Sequence, residues 1–223
     1  MLRALRRAAR WFLIALCVFY GIAALAMLFL RFFDPPTTTV QMQRRVEAWL
    51  AWEPYDKRSD HVPLQRISPA LQHAVLAAED GRFYQHHGLD WFEMQKVAKD
   101  SQRKGRITRG ASTITQQLVK NLFLTTHASW VRKVLEIPLA LLAEVILPKQ
   151  RILELYLNVI EWGPGVYGAE AAARYHFGVD AANIGREQSA RLAAILPSPR
   201  KRKPQRMNLY SQIILERMAD MGW

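Results

Sequence analysis

The sequence predicts a mainly α-helical fold behind one N-terminal membrane-spanning helix. Three observations carry that expectation: a twenty-residue uncharged run from Trp11 to Leu30, a succession of helix start and stop signals from Ser68 onward, and the lack of any convincing alternating strand. No internal repeat or low-complexity tract interrupts the pattern.

At about 1.5 Å per helical residue, the run from Trp11 to Leu30 spans about 30 Å, the thickness of a bilayer core. Arg3, Arg6, Arg7 and Arg10 precede it. Positive charge on that flank keeps the N-terminus in the cytoplasm and sends the long C-terminal part across the membrane. Residues 1–10 are then a basic cytoplasmic N-terminus and residues 11–33 the anchor. The competing reading is a cleaved signal peptide, since Ala24-Leu25-Ala26 resembles a cleavage site, but apolar residues continue through Met27, Leu28, Phe29 and Leu30. The one cysteine, Cys17, lies inside this segment, so neither a disulfide framework nor a cysteine metal site is expected.

Lysine and arginine number 31 against 19 acids, a formal net charge of +12. Five of the arginines lie in residues 1–33, which hold no acid, so the remainder keeps a basic excess of its own. Such an excess suits phosphates, nucleic acid or anionic lipid, and a domain outside the cytoplasm argues against nucleic acid. The 223 residues leave room for the anchor and one domain of about 150–190 residues. A second catalytic domain is not expected: Ser101 to Lys104 and Ser198 to Lys201 fit a Ser-x-x-Lys pattern, but no Lys-Thr-Gly follows.

Asp34-Pro35-Pro36 breaks the anchor helix, and residues 34–61 read as a polar membrane-proximal segment before a domain over residues 62–223. Ser68 and Pro69 start a helix that runs to about Glu79, followed by a loop from Asp80 to Leu89. Asp90 caps a helix ending near Gly105, and a glycine-containing loop leads to another from about Thr113 to Phe123. Ser129 opens a helix toward Leu147, with Pro138 expected to kink or break it. Pro148 restarts a helix through Asn158, Gly163-Pro164-Gly165 marks a loop, and helices near Ala169 to Phe177, Arg186 to Leu196 and after Asn208 complete the chain.

Three clusters carry chemistry. Leu71, Ala74, Val75 and Ala78 form an apolar stripe, and Glu79 continues it with a carboxylate at the helix C-terminus. There both the helix dipole and partial burial favour the protonated form, which suits a proton acceptor. A glutamate turned to solvent in a fraying last turn is the alternative. The second cluster follows Gly110 and Ser112, where Thr113, Gln116, Gln117 and Lys120 share a polar helix face near free backbone N–H groups. This is a diphosphate cradle or an ordinary solvated face. In the third, Glu136 stands four residues from Arg132 and three from Lys133, forming either a surface salt bridge or a cationic site for a departing pyrophosphate. His87 beside His86 reads as a solvent-facing neighbour. The run Arg200-Lys201-Arg202-Lys203-Pro204-Gln205-Arg206 reads as either a phosphate or lipid contact or a solvated tail.

Glu79-Asp80-Gly81-Arg82-Phe83-Tyr84-Gln85-His86-His87-Gly88, Gly110 to Gln117, Arg132-Lys133 with Glu136, and Arg151 to Asn158 occur in the order and spacing of the peptidoglycan glycosyltransferases, which polymerise lipid II. The resemblance covers residues 62–205, and Gly163 to Ala173 looks most like the monofunctional biosynthetic transglycosylase branch. It implies a lysozyme-like, mostly helical domain whose cleft opens toward the membrane. Glu79 matches the general base that takes the proton of the acceptor 4-hydroxyl, and Glu136 the second essential carboxylate. Lys120, Arg132 and Lys133 would bind diphosphate. Gly110, Ser112, Thr113, Gln116 and Gln117 would line the cleft, and Asp80, Phe83 and His86 would hold the base loop.

The resemblance also implies inverting transfer to linear β-1,4 glycan strands with release of undecaprenyl diphosphate, in a single-pass protein of the inner membrane. The expected partners are lipid II, the growing strand and membrane lipid, with other wall-synthesis or division proteins left open. No cofactor or metal site is implied, and assistance by a divalent metal stays open. A lytic enzyme and a nonenzymatic cell-wall scaffold are the rivals; three cations poised for a diphosphate argue against the first and the paired glutamates against the second.

Overall fold

The computed structural model describes residues 1–105 and 110–223, and part of the loop expected after Gly105 lies outside them. Ten α-helices follow one another among the described residues: α1 (Leu2–Leu30), α2 (Thr39–Leu50), α3 (Pro69–Glu79), α4 (Trp91–Lys104), α5 (Ile114–Phe123), α6 (Trp130–Ile146), α7 (Lys149–Val159), α8 (Ala169–Phe177), α9 (Arg186–Ile195) and α10 (Asn208–Asp220). Three short strands, β1 (Arg58–Ser59), β2 (Glu161–Gly163) and β3 (Val166–Tyr167), form a sheet in the order β1-β3-β2. β1 pairs parallel with β3, and β2 and β3 are antiparallel.

In α1 the buried positions are Ala23, Met27 and Leu30, a spacing that makes one helical stripe, and it packs against α6. Two bonds set the pairing: the Tyr20 hydroxyl donates to the Leu135 carbonyl (3.3 Å) and the Arg31 guanidinium to that of Ile146 (3.1 Å). Both pairs are separated by 115 residues, so the helices run parallel and in step. Arg151, at the start of α7, donates to the carbonyls of Leu30 (2.8 Å) and Phe33 (2.7 Å), satisfying acceptors left open where the anchor ends.

Within residues 34–61 the chain forms α2, where the Thr38 hydroxyl accepts from the Gln41 N–H (3.2 Å). The helix buries Val40 and Gln41 and packs against α5, while Met42, Val46, Trp49 and Leu50 face outward. Its apolar periodicity therefore marks the exposed face and gives no sign of docking. The strands also escape sequence reading, because two or three residues are too few to show alternation.

Caps account for several other boundaries. Asp90 accepts from the Glu93 N–H (3.0 Å) to start α4, and Gly105 ends it in the left-handed region. Ser129 caps α6 by accepting from the Arg132 N–H (3.1 Å). Ser68 precedes α3 but makes no capping bond among the described residues, so Pro69 at the first turn supplies the start signal. α6 continues through Pro138, so of the expected kink or break the break does not occur. Pro138 and Val134, whose carbonyl loses its helical donor, both lie on the exposed side.

α3, α9 and α10 form one packed layer and α5 lies against α6 and α7. Trp162, Tyr156, Tyr167 and Phe83 are the largest fully buried side chains of the core. The two layers meet where α3 ends and α5 begins.

Candidate active site

Glu79 is the last residue of α3 and only partly buried, with Leu71, Ala74 and Val75 buried behind it. One of its carboxylate oxygens accepts from the Gln117 side-chain amide (2.7 Å), whose carbonyl in turn accepts from the Tyr156 hydroxyl (2.9 Å). Burial pushes the Glu79 carboxyl above its ordinary range, and the Gln117 bond and the Lys120 charge pull the other way with smaller effect.

Asp80 couples this helix end to α5. One oxygen accepts from the Ile114 backbone N–H (2.9 Å) and the other meets His86 Nε2 (2.9 Å), with all three groups buried. Phe83 is 1 % exposed, and the Lys149 ammonium sits 4.3 Å from its ring centroid. At the loop's end the Gly88 carbonyl accepts from the Thr113 hydroxyl (2.6 Å). Gly88 has φ +87°, and a Cβ there would stand 3.1 Å from the Ala140 carbonyl oxygen, so the turn requires glycine.

Thr113 and Gln116 close the start of α5 as a reciprocal cap: the Thr113 hydroxyl accepts from the Gln116 N–H (3.2 Å) and the Gln116 side chain from the Thr113 N–H (3.1 Å). Gln116 is thereby turned into the protein, 1 % exposed, while Gln117 faces Glu79. Lys120, one turn on, makes no ion pair or side-chain hydrogen bond among the described residues. Burial lowers its pKa below the usual lysine range, and the charges of Glu136 and Glu79 oppose that shift. Lys120 therefore senses both glutamates.

Glu136 is 2 % exposed. It accepts from Arg132 (2.6 Å) and Lys133 (2.5 Å), and the Lys133 ammonium also reaches the Ser112 hydroxyl (2.9 Å). This is a buried carboxylate held by two cations, unlike an ordinary surface pair.

A cavity of about 620 Å³ is lined by Gln117, Lys120 and Tyr156 together with Arg44, Arg200 and Lys201. A second, of about 460 Å³, is lined by Glu79, Asp80, Gly110, Ser112, Thr113 and Arg217. Glu79 faces one space while its partner Gln117 faces the other. Sequence reasoning left Tyr156, Arg44 and Arg217 outside the candidate site and the 200–206 run open between a phosphate or lipid contact and a solvated tail. A tyrosine inside a buried helix whose hydroxyl needs a partner was the available signal for Tyr156. Arg200 and Lys201 line the 620 Å³ cavity, which places that part of the basic run beside Gln117 and Lys120.

Ligand atoms of Asp80, His86 and Asp90 lie within 4.8 Å of one another. The Arg82 guanidinium stands 3.1 Å from Asp90, and both Asp80 oxygens are engaged by Ile114 and His86. Such a set fits loop bracing better than a divalent ion, which would have to displace these partners.

The family model described as Transglycosylase matches residues 45–219. The chain belongs to the transglycosylase family. Its mostly helical domain is accordingly of the lysozyme-like class. Curated relatives of this transglycosylase include proteins named biosynthetic peptidoglycan transglycosylase. The one from Pseudomonas entomophila is 46 % identical over 94 % of this chain and 86 % of its own length. That of Chromohalobacter salexigens is 45 % identical over 98 % of this chain and 94 % of its own. In Xanthomonas campestris pv. campestris the relative is 47 % identical over 94 % and 85 %.

Proposed function

We propose that this transglycosylase polymerises lipid II into linear β-1,4 glycan strands by inverting transfer, releasing undecaprenyl diphosphate. Glu79 takes the proton from the acceptor 4-hydroxyl as that oxygen attacks the anomeric carbon of the growing chain. Its raised pKa makes it a better proton acceptor than an exposed glutamate. Lys120, Arg132 and Lys133 hold the diphosphate, and Glu136 fixes the last two cations in place. The observation that carries the proposal is Lys120, a largely enclosed ammonium without an ion-pair partner among the described residues, in the electrostatic field of both glutamates. A diphosphate supplies the charge it lacks.

Two features support catalysis at a membrane surface by a domain over residues 62–223, outside the cytoplasm, with residues 1–10 inside. α1, 29 residues from Leu2 to Leu30, is long and apolar enough to cross a bilayer. α6, in step beside its outer part, turns Val131, Val134, Leu141 and Val145 outward and the Arg132–Lys133–Glu136 cluster inward.

The deciding experiment gives purified full-length protein lipid II beside the Glu79→Gln variant. Wild type should lengthen strands while the variant binds lipid II and makes none. Shortening of finished strands by wild type would instead mark a hydrolase, and wild-type polymerisation by the variant would remove Glu79 from the role of base.

A further inference from the structure

Arg132 is held at two points. Its Nη1 donates to Glu136 (2.6 Å), one turn along the same helix, and its Nε donates to the His127 carbonyl (2.8 Å) in the loop between α5 and α6. A guanidinium is rigid and planar, so two such bonds fix the plane of the charge as well as its place. The Nη2 donors have no partner among the described residues and stay open to an anion. The two holds differ in kind. Glu136 is buried on α6 itself, whereas Thr125, His127, Ala128 and Ser129 of the loop are exposed.

What steadies the loop comes from α2. The Gln43 side chain meets Thr126 twice: its carbonyl accepts from the Thr126 backbone N–H (2.9 Å), and its NH2 donates to the Thr126 hydroxyl (2.8 Å). The same NH2 donates to Glu47 (2.6 Å), which fixes the way the amide faces. One turn earlier on α2 the Thr39 hydroxyl donates to the Leu122 carbonyl (2.7 Å), near the end of α5. Apart from Gln43 and Arg132, no side chain among the described residues bonds to the loop between Thr125 and Ala128. Thr126 directly precedes His127, so the bonds from Gln43 set where the His127 carbonyl stands.

Resting on the diphosphate site proposed above, we infer that Gln43 is a positioning residue for substrate binding, which through Thr126 and His127 holds the Arg132 guanidinium where it meets the diphosphate. Gln43 lines neither cavity at the candidate site and acts only through the loop. Without it Arg132 keeps its pair with Glu136 but is free to turn about that one bond. Binding an anion then carries the cost of ordering the side chain, so the effect falls on affinity. The proton transfer at Glu79 is held by Gln117 and is left alone.

The test is a double-mutant cycle on the full-length protein, with undecaprenyl diphosphate in detergent micelles as the titrated probe and a thermal melt of each variant to establish folding. Arg132→Ala should weaken binding about tenfold and Gln43→Ala about fivefold, whereas adding Gln43→Ala to Arg132→Ala should change it by less than about twofold. In lipid II polymerisation Gln43→Ala should raise KM by about the same factor, with kcat within about twofold of wild type. Thr126→Ala removes one of the two bonds and leaves α2 intact, and it carries the same cycle should Gln43→Ala not fold. Full affinity in the folded variant overturns the positioning role. So does a loss that adds in full to that of Arg132→Ala, because a contact that only supports the fold acts whether or not Arg132 is present. Wild-type affinity in Arg132→Ala overturns instead the diphosphate site on which the inference rests.

Discussion

Glu79, at the end of α3, and Gln117, in the second turn of α5, are joined by a 2.7 Å hydrogen bond across 38 residues of sequence. The bond favours the charged carboxylate, against the larger effect of burial. Gln117→Ala should therefore move the acid limb of the pH–rate profile to higher pH and lower the neutral rate about tenfold. A limb that stays in place would show that the amide does not tune the base.

The same carboxyl has a consequence for stability. An acid whose folded pKa lies above its unfolded value binds its proton more tightly in the native state, so native stability falls as pH rises through that window. Glu79→Gln removes this loss. Thermal melts should place the variant above wild type at neutral pH, with the difference closing in acid, where both states of wild type are protonated. A variant less stable at neutral pH would contradict the assigned cause.

Lys120→Met removes a largely enclosed cation that has no ion pair among the described residues, so its fold should hold and melt at or above the wild-type temperature. Affinity for a diphosphate-linked donor should nonetheless fall about tenfold or more. Calorimetric titration together with a melt separates the two effects. Retained affinity would exclude Lys120 from the diphosphate site.

Asp80 accepts on both carboxylate oxygens, from the Ile114 N–H and from His86. Asparagine offers one acceptor and sets an N–H against a donor, so Asp80→Asn should cost about 1–3 kcal/mol in denaturant unfolding. A change within a few tenths would mean that the loop is held elsewhere.

Gly88→Ala should cost about 1–2 kcal/mol, since a Cβ is disfavoured at φ +87° and crowds Ala140 besides. Because Gly88 ends the loop that starts beside Glu79, polymerisation should fall with it. A fully active, equally stable variant would refute the tightness of that turn.

Much of the helical order was legible because its signals are local. Asp90, Thr113 and Ser129 each accept a backbone N–H at the helix start they announce, and Gly105 ends α4 as its residue type suggests. α2 was not legible, since three successive threonines offer equal caps and its apolar face looks outward. Of the kink or break expected at Pro138 the break does not occur, because Val134, whose carbonyl loses its helical donor, lies on the exposed side. Within the candidate site, residue types and spacing singled out Glu79, Lys120 and Glu136. The burial of Glu136, the inward turn of Gln116 and the Tyr156–Gln117–Glu79 chain depend on contacts between distant segments and carry no local mark.

The in-step pairing of α1 with α6 ties the tilt of one to the tilt of the other. A helix that must match the thickness of its bilayer leans when that bilayer thins. Here the lean is transmitted along α6 to Arg132 and Lys133, which by the same register stand level with Cys17 and Val18 of the anchor, and so moves the cations proposed to hold the diphosphate. Lipid acyl-chain length should thus act on turnover in reconstituted vesicles with no change in the substrate, and cutting the Tyr20 and Arg31 ties should make the enzyme indifferent to it.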